Sequence, residues 1–203
     1  MRRPEGHPIL AAGLDWMMRP LAPVRHRVIP LATGDVLEVG VGTGMNAPIY
    51  DWERVRTFIG IEPDPHMMRR ARPRFAAHDA ELVQCGAEAM PFEDASFDTV
   101  IVTFTLCTIP DVQDAIAEIR RVLRPDGVLH FAEHTASDHA PMRAVQQLLN
   151  AVWGCCAGGC HLDRDACALL KSGGFTIDSL HGHGRGPLNL TPVHRGVASR
   201  RGD

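Results

Sequence analysis

The chain has 203 residues and a net charge of −3, with 45% hydrophobic and 22% charged residues. That length suits one α/β domain with a full core, and so small a charge excludes a field that recruits nucleic acid or an acidic membrane. No run reaches the roughly 18–20 apolar residues of a membrane span, no signal peptide is legible behind Arg2 and Arg3, and six cysteines without such a signal read as reduced thiols in a cytoplasmic protein.

Met1 to Leu31 mixes apolar residues with prolines. Ile9 to Met18 fits an amphipathic helix, and Pro20 and Pro23 break it. Strands and helices then alternate. Asp35 to Val39 reads as a buried strand, and Gly44 begins a loop into a helix. Thr57 to Ile61 is a second strand. His66 to Phe75 is helical, with Pro73 expected to end it early. Ala80 to Gln84 is a third strand. Phe97 to Leu106 is the clearest one, since Val100, Ile101, Val102 and Phe104 run without charge, as in a strand buried on both faces. Val112, Ala115, Ile116, Ile119 and Leu123 repeat at helical spacing over Asp111 to Leu123. Pro125-Asp126-Gly127 predicts a turn, and Val128 to Ala132 a fifth strand. Pro141 to Trp153 and Asp163 to Ser172 are further helices, the second capped by Asp163 and ended by Gly173-Gly174. Phe175 to Leu180 and Val193 to Ala198 read as final strands. This order implies a parallel sheet covered on both faces. No internal repeat or interdomain linker interrupts it.

Gly40, Gly42 and Gly44 follow the first strand, where ligands bind in open α/β sheets. Glycine permits a tight turn and close approach of a ligand. Glu62 closes the second strand near the ~20-residue spacing at which an acid reaches a ribose hydroxyl pair. The segment does not complete G-x-G-x-x-G, except through Ala47. Glu38, two residues before the first glycine, would repel a pyrophosphate but suits a cation such as the amino group of a methionine moiety. Charge therefore favours S-adenosylmethionine over a dinucleotide.

Five segments in order carry a resemblance: Glu38-Val-Gly-Val-Gly-Thr-Gly44, Gly60-Ile-Glu-Pro-Asp64, Gly86-Ala-Glu-Ala-Met-Pro-Phe92, Ser96-Phe-Asp-Thr-Val100 and Glu118-Ile-Arg-Arg-Val-Leu-Arg-Pro-Asp-Gly127. With these the chain resembles the class I S-adenosylmethionine-dependent methyltransferases of small-molecule type. The resemblance implies a Rossmann-like, doubly wound, mostly parallel seven-stranded sheet with helices on both faces. It implies one domain over 1–203: N-terminal lid helices (1–31), a cofactor-binding core (32–134) and substrate-side helices with the final strands (135–203). It also implies that Glu38, Gly40, Gly42, Gly44 and Asn46 surround the methionine end of S-adenosyl-L-methionine, and that Glu62 binds the ribose hydroxyls. Pro63, Met67, Ala87 and Glu88 would flank the adenosine, and Thr103, Phe104 and Leu106 would line the space near the sulfonium. Asp98 reads as structural, and Arg120-Arg121 as a solvated helix face.

Thr103-Phe-Thr-Leu-Cys-Thr-Ile109 replaces the Asn/Asp-Pro-Pro-Tyr of amide and base methylation. Thr105 to Thr108, Glu133-His134, Gln146-Gln147, Trp153 and Gly159 to Arg164 are similar to methyltransferase-like alkyl thiol S-methyltransferases. Those carry a hydrophobic N-terminal anchor, for which Met1 to Leu31 is too polar. The resemblance implies a small, hydrophobic acceptor, with a thiol as the first choice. Methylation of nitrogen, oxygen or carbon on a lipid, quinone or specialised metabolite is the alternative, and a catalytically silent cofactor-binding partner is the reading from another class. Monomer and homodimer are both compatible. Glu133, His134 and His161 are the candidate bases. Cys155, Cys156 and Cys160 with His161 invite a zinc reading, but adjacent cysteine side chains diverge and no second C-x-x-C pair exists, so no metal site is expected. Cys107 reads as a small buried hydrophobe.

Overall fold

A computed structural model describes residues 8–183 and 190–202, apart from the side chains of residues 151, 155, 156 and 183. Seven strands form one sheet: β1 (Gly34–Val39), β2 (Val55–Ile61), β3 (Ala80–Val83), β4 (Phe97–Thr103), β5 (Leu123–His134), β6 (Phe175–His183) and β7 (Val193–Arg200). Their spatial order is β3-β2-β1-β4-β5-β7-β6. All neighbours are parallel except β7, which runs antiparallel to β5 and β6. This is the Rossmann-like α/β fold that the sequence implied. β1 pairs with β2 on one side and β4 on the other, so the winding reverses there and the carboxyl ends of these strands open a crevice.

The helices are α1 (Pro8–Met17), α2 (Ala22–Arg25), α3 (Pro65–Phe75), α4 (Val112–Val122), α5 (Ala140–Cys156) and α6 (Ala166–Ser172). The two-residue period of the strands divides the core between the two faces. Leu37, Val100, Val102 and Phe131 pack with Ile116 and Ile119 of α4 and Leu170 of α6. Val36, Phe58 and Ile101 pack with Ala71 and Phe75 of α3. A helix face cannot bury its apolar stripe alone, so each crossover is fixed against the sheet by these contacts.

Several local expectations change. No α-helix follows Gly44; a single 3-10 turn spans Ala47–Ile49, and extended backbone at Tyr50 (ψ 142°) carries its hydroxyl onto Glu38. Pro73 lies inside α3, which continues to Phe75. The missing N–H falls in the last turn, and Phe75 is buried against Phe58. Arg124 to Gly127 bulge out within β5, whose register against β4 jumps from Leu123 to Val128. α6 starts later than expected, capped by Asp165 rather than Asp163: Ala168 N donates to Asp165 Oδ1 at 3.0 Å. Arg164 is turned inward to donate to the carbonyls of Leu106 (2.7 Å) and Ile109 (2.6 Å), so it stays outside the helix.

At the sheet's amino-terminal end, Asp98 accepts from Asp35 N at 2.8 Å and pairs with Arg56 and Arg124. Arg121 is no solvated face. It donates to the Met90 and Phe92 carbonyls and pairs with Glu118 and Asp94, fixing the loop before β4.

Candidate active site

A cavity of about 890 Å³ opens over the carboxyl ends of β1, β2, β4 and β5. Its floor at β1 is the glycine loop. Gly40 has φ 76°, and a Cβ there would lie 2.5 Å from the Thr105 side chain. Gly42 has φ 55°, but its missing Cβ faces open space, with only Leu14 Cδ2 at 3.7 Å. Gly40 is therefore glycine for packing and backbone, and Gly42 leaves room for a ligand.

Glu62 stands at the cavity edge. Its Oε2 accepts from Gly42 N at 2.9 Å and its Oε1 from Asp64 N at 3.0 Å. A carboxylate has about four acceptor positions, so two remain for a ligand diol. Burial pushes its pKa up to about 7, against the two backbone donors.

Glu38 is fully buried behind this lining. Asn46 Nδ2 donates to Oε1 at 2.7 Å and Tyr50 Oη to Oε2 at 2.8 Å. Burial raises its pKa to about 7. Asn46 Nδ2 also donates to Thr103 Oγ1 at 3.0 Å, which leaves Asn46 Oδ1 buried with no partner at the cavity wall. Glu38 thus fixes Asn46 at the cavity wall with its Oδ1 shielded behind the lining and unpaired. Buried acceptors are normally satisfied, so this oxygen marks where a donor belongs.

Arg25, absent from the sequence expectations, lines the same end while only 6% exposed. Its NH1 contacts Met45 Sδ at 3.7 Å, its guanidinium sits 5.2 Å above the Phe104 ring, and its Nε is buried without a partner. Burial lowers its pKa, and Glu38 partly offsets this. Pro23 holds the short α2 that carries it. Nothing in the spacing of Arg25 from the glycine loop signals the contact.

α1 crosses the glycine loop. Asp15 accepts from Thr43 Oγ1 at 2.5 Å and pairs with Arg74 of α3, which also donates to Thr43 O at 3.1 Å. Leu10, Leu14 and Met17 of α1 line the cavity. The β2 side of the cavity is walled by Pro63, Met67, Ala87 and Glu88.

The far end is of different character. Phe104, at the end of β4, has φ 56°, a conformation that costs of order 1–3 kcal/mol outside glycine. Glu133 holds the bend: its Oε1 accepts from Thr105 N at 2.7 Å and Leu106 N at 3.1 Å. Its Oε2 is buried without a partner, and burial raises its pKa to about 7. His134, the next residue, lies on the cavity 5.2 Å from the Phe104 ring, with Nδ1 4.0 Å from Cys160 Sγ. Cys107 lines the wall beside them. The neighbouring Cys160 and burial hold the Cys107 thiol above its ordinary range, and the neighbouring Cys107 holds Cys160 below it.

Among the expected site residues, Gly40, Gly42, Asn46, Glu62, Pro63, Met67, Ala87, Glu88, Thr103, Phe104 and His134 face one cavity. Glu38, Gly44, Leu106, Glu133 and His161 do not. Gly44 packs on Ala71 and Phe75 of α3, and Leu106 belongs to the core. His161 is exposed and anchored by Cys107 O, to which its backbone N donates at 2.8 Å. Cys160 meets Cys107 and His134, not His161; the side chains of Cys155 and Cys156 lie outside the described residues.

Residues 37–131 match the family described as "Methyltransferase domain". Over that span the chain matches a methyltransferase domain, carried on the Rossmann-like fold described above. It is 36% identical over 120 residues to a phosphatidylethanolamine N-methyltransferase of Cereibacter sphaeroides, covering 57% of this chain and 58% of that one. It is 32% identical over 153 residues to a human thiol S-methyltransferase, covering 71% and 62%. The chain thus spans about three fifths of the length of these curated relatives. A solved methyltransferase-fold protein from Bacillus halodurans, titled a putative methyltransferase, superposes with a TM-score of 0.73 at 17% identity, over 89% of this chain and 98% of that one. The cofactor of this family is S-adenosylmethionine. The methyltransferase domain fits it on the open space at Gly42, the bare Asn46 Oδ1 and the free acceptor positions of Glu62. No described helix is long and apolar enough to cross a membrane.

Proposed function

We propose that this domain transfers a methyl group from S-adenosylmethionine to a small thiol. The cofactor supplies an electrophilic methyl on a sulfonium, and the chain's own residues supply the seat and the direction. Asn46 Oδ1 accepts from the cofactor's ammonium, with Glu38 as the charge behind it. Arg25 pairs with its carboxylate. Glu62 takes the ribose hydroxyls while still holding Gly42 N. Leu10, Leu14 and Met17 exclude water over the seat, which strengthens each of these contacts.

The observation that carries the thiol reading is the soft far wall, where Cys107, Cys160 and His134 stand together next to Phe104 and Thr105. Similarity over 153 residues to a human thiol S-methyltransferase supports it. Methyl transfer to sulfur asks for in-line positioning more than for acid–base work. A thiol carries its proton at neutral pH and must lose it before attack. His134 is the group of this wall able to promote that loss, directly as a base or through an ion that it ligates. Glu133 is a positioning residue, since it holds Thr105 and Leu106 rather than facing the cavity.

The second reading is N-methylation of a phospholipid amine, supported by the 36% identity to the phosphatidylethanolamine enzyme. Incubation with methyl-labelled cofactor and a panel of thiols, amines and phosphatidylethanolamine vesicles separates the two. Label in alkyl thioethers is expected; label in the lipid amine and in no thiol would overturn the thiol reading.

A further inference from the structure

Cys107 Sγ, Cys160 Sγ and a ring nitrogen of His134 all lie within 4.8 Å of one another. The Sγ of Cys160 is 4.0 Å from His134 Nδ1. A tetrahedral zinc with bonds of about 2.3 Å to sulfur and about 2.0 Å to nitrogen separates its ligand atoms by roughly 3.5–3.8 Å. Side-chain rotations that move the ligand atoms by no more than about 1 Å bring the three into that geometry.

The three residues come from separate segments that the fold ties together. Cys107 follows β4, His134 ends β5, and Cys160 follows α5. His161 N donates to Cys107 O at 2.8 Å, joining the two cysteine segments. Arg164 donates to the Leu106 and Ile109 carbonyls on either side of Cys107. Ala136 N donates to Arg164 O at 3.0 Å, which ties in the segment after His134. These bonds fix the backbones from which the three side chains project. Glu133 adds an independent observation. Its Oε2 is fully buried with no hydrogen-bond partner, on the residue that precedes His134. A cation at the cluster would balance that carboxylate.

We propose that Cys107, Cys160 and His134 bind a thiophilic divalent cation of the zinc class, with the fourth position open to the cavity for the acceptor's sulfur. Two cysteines and one histidine plus an open position is a donor set that zinc uses in catalysis rather than in structural support. The inference rests on the thiol reading above and deepens it. Both cysteine thiols release their protons on binding the ion. The acceptor R–SH gives its proton to solvent and binds as thiolate. Its sulfur then forms the new S–CH₃ bond as the methyl–sulfonium bond breaks, with that electron pair staying on the cofactor's sulfur. The neutral thioether is a weaker ligand and leaves.

The test uses the full chain, reduced and stripped of metal, titrated with Co(II) as a spectroscopic probe. The expected result is one equivalent bound, with a thiolate-to-Co(II) charge-transfer band and the visible bands of a four-coordinate ion. Cys160→Ser and His134→Asn should each weaken binding by at least about tenfold, while a Cys155→Ser/Cys156→Ser double variant keeps the spectrum. Adding an alkyl thiol should shift the visible bands. Because Cys107 is buried and its variants risk misfolding, a second measurement uses the wild type: zinc should protect Cys107 and Cys160, and not Cys85, from alkylation mapped by peptide mass.

No charge-transfer band in wild type, a band indifferent to Cys160→Ser, or equal alkylation with and without zinc overturns the site. A band that no thiol perturbs overturns the open position. Calorimetry with S-adenosylmethionine on the metal-free chain is independent of all these. A metal site that fails in a chain that still binds cofactor and methylates thiols is thus distinguished from failure of the thiol reading itself.

Discussion

The two ends of the cavity are both made at strand carboxyl ends, yet their chemistry is opposite. The β1–β2 end is hard and charged: two buried carboxylates, a bare amide oxygen and a buried guanidinium. The β4–β5 end is soft, with two sulfurs, an imidazole and a phenyl ring. The hard end suits a zwitterionic, cationic conjugate, and the soft end a polarisable nucleophile. One protein can therefore hold a donor by electrostatics and leave the acceptor to soft contacts and geometry.

Four substitutions or titrations break or sharpen this contrast. The largest effect is expected from Glu62→Ala. It removes a buried carboxylate that holds Gly42 N and, on the proposed reading, takes the ribose hydroxyls, interactions of about 1.5–3 kcal/mol each for a charged group. Calorimetry should show cofactor affinity falling at least roughly 100-fold, with thiol recognition at saturating cofactor little changed. Arg25→Met comes next. Loss of one buried charge pairing should weaken cofactor binding by roughly 10–100-fold, while the melting temperature of the free protein holds or rises, because an arginine with an unpaired buried Nε is removed.

The third test is pH. Burial raises Glu38 and Glu62 to about 7 from an ordinary 4.5. The folded chain then keeps protons that the unfolded chain has released. Their contribution to stability is full below about 4.5 and is lost as pH rises through about 7. Scanning calorimetry of the free protein should show its melting temperature falling across that window. Cofactor affinity should move the other way, rising by up to about tenfold per pH unit below 7 for each group that must ionise to meet the ammonium or the hydroxyls. Glu38→Gln should flatten both trends. The smallest effect is expected at His161→Ala: the residue lies off the cavity, and its backbone N keeps the 2.8 Å bond to Cys107 O when the ring contact to that carbonyl (Nδ1, 3.2 Å) is lost, so turnover should stay within about twofold of wild type.

The same contrast governs how much was legible in the sequence. Glu38, the glycines, Asn46 and Glu62 lie in one contiguous stretch that wraps a single strand–loop–strand unit, so their spacing carries their meaning. The uncharged run Val100 to Val102 and the helical repeat of α4 were equally plain, because both are buried through one-dimensional patterns. The soft end is assembled from three distant segments. Cys107, His134 and Cys160 meet only because β4 and β5 are neighbours and Arg164 pulls the loop after α5 onto them. Sequence proximity instead suggested Cys155, Cys156 and His161 as companions of Cys160. Arg25 was missed for the same reason, since a short helix far from the glycine loop brings it to Phe104. The helix expected after Gly44 failed because Tyr50 satisfies the buried Glu38, a tertiary demand that outweighs local propensity.

The most direct test of the central claim compares the two ends in one titration series. S-adenosylmethionine is titrated calorimetrically into wild type, Glu62→Ala and Cys160→Ser, and each chain is then assayed for methyl transfer to an alkyl thiol at the highest attainable cofactor concentration. Division of labour predicts that Glu62→Ala loses cofactor binding, whereas Cys160→Ser binds the cofactor within about threefold of wild type and loses thiol methylation. Cofactor binding abolished by Cys160→Ser, or unaffected by Glu62→Ala, would contradict it.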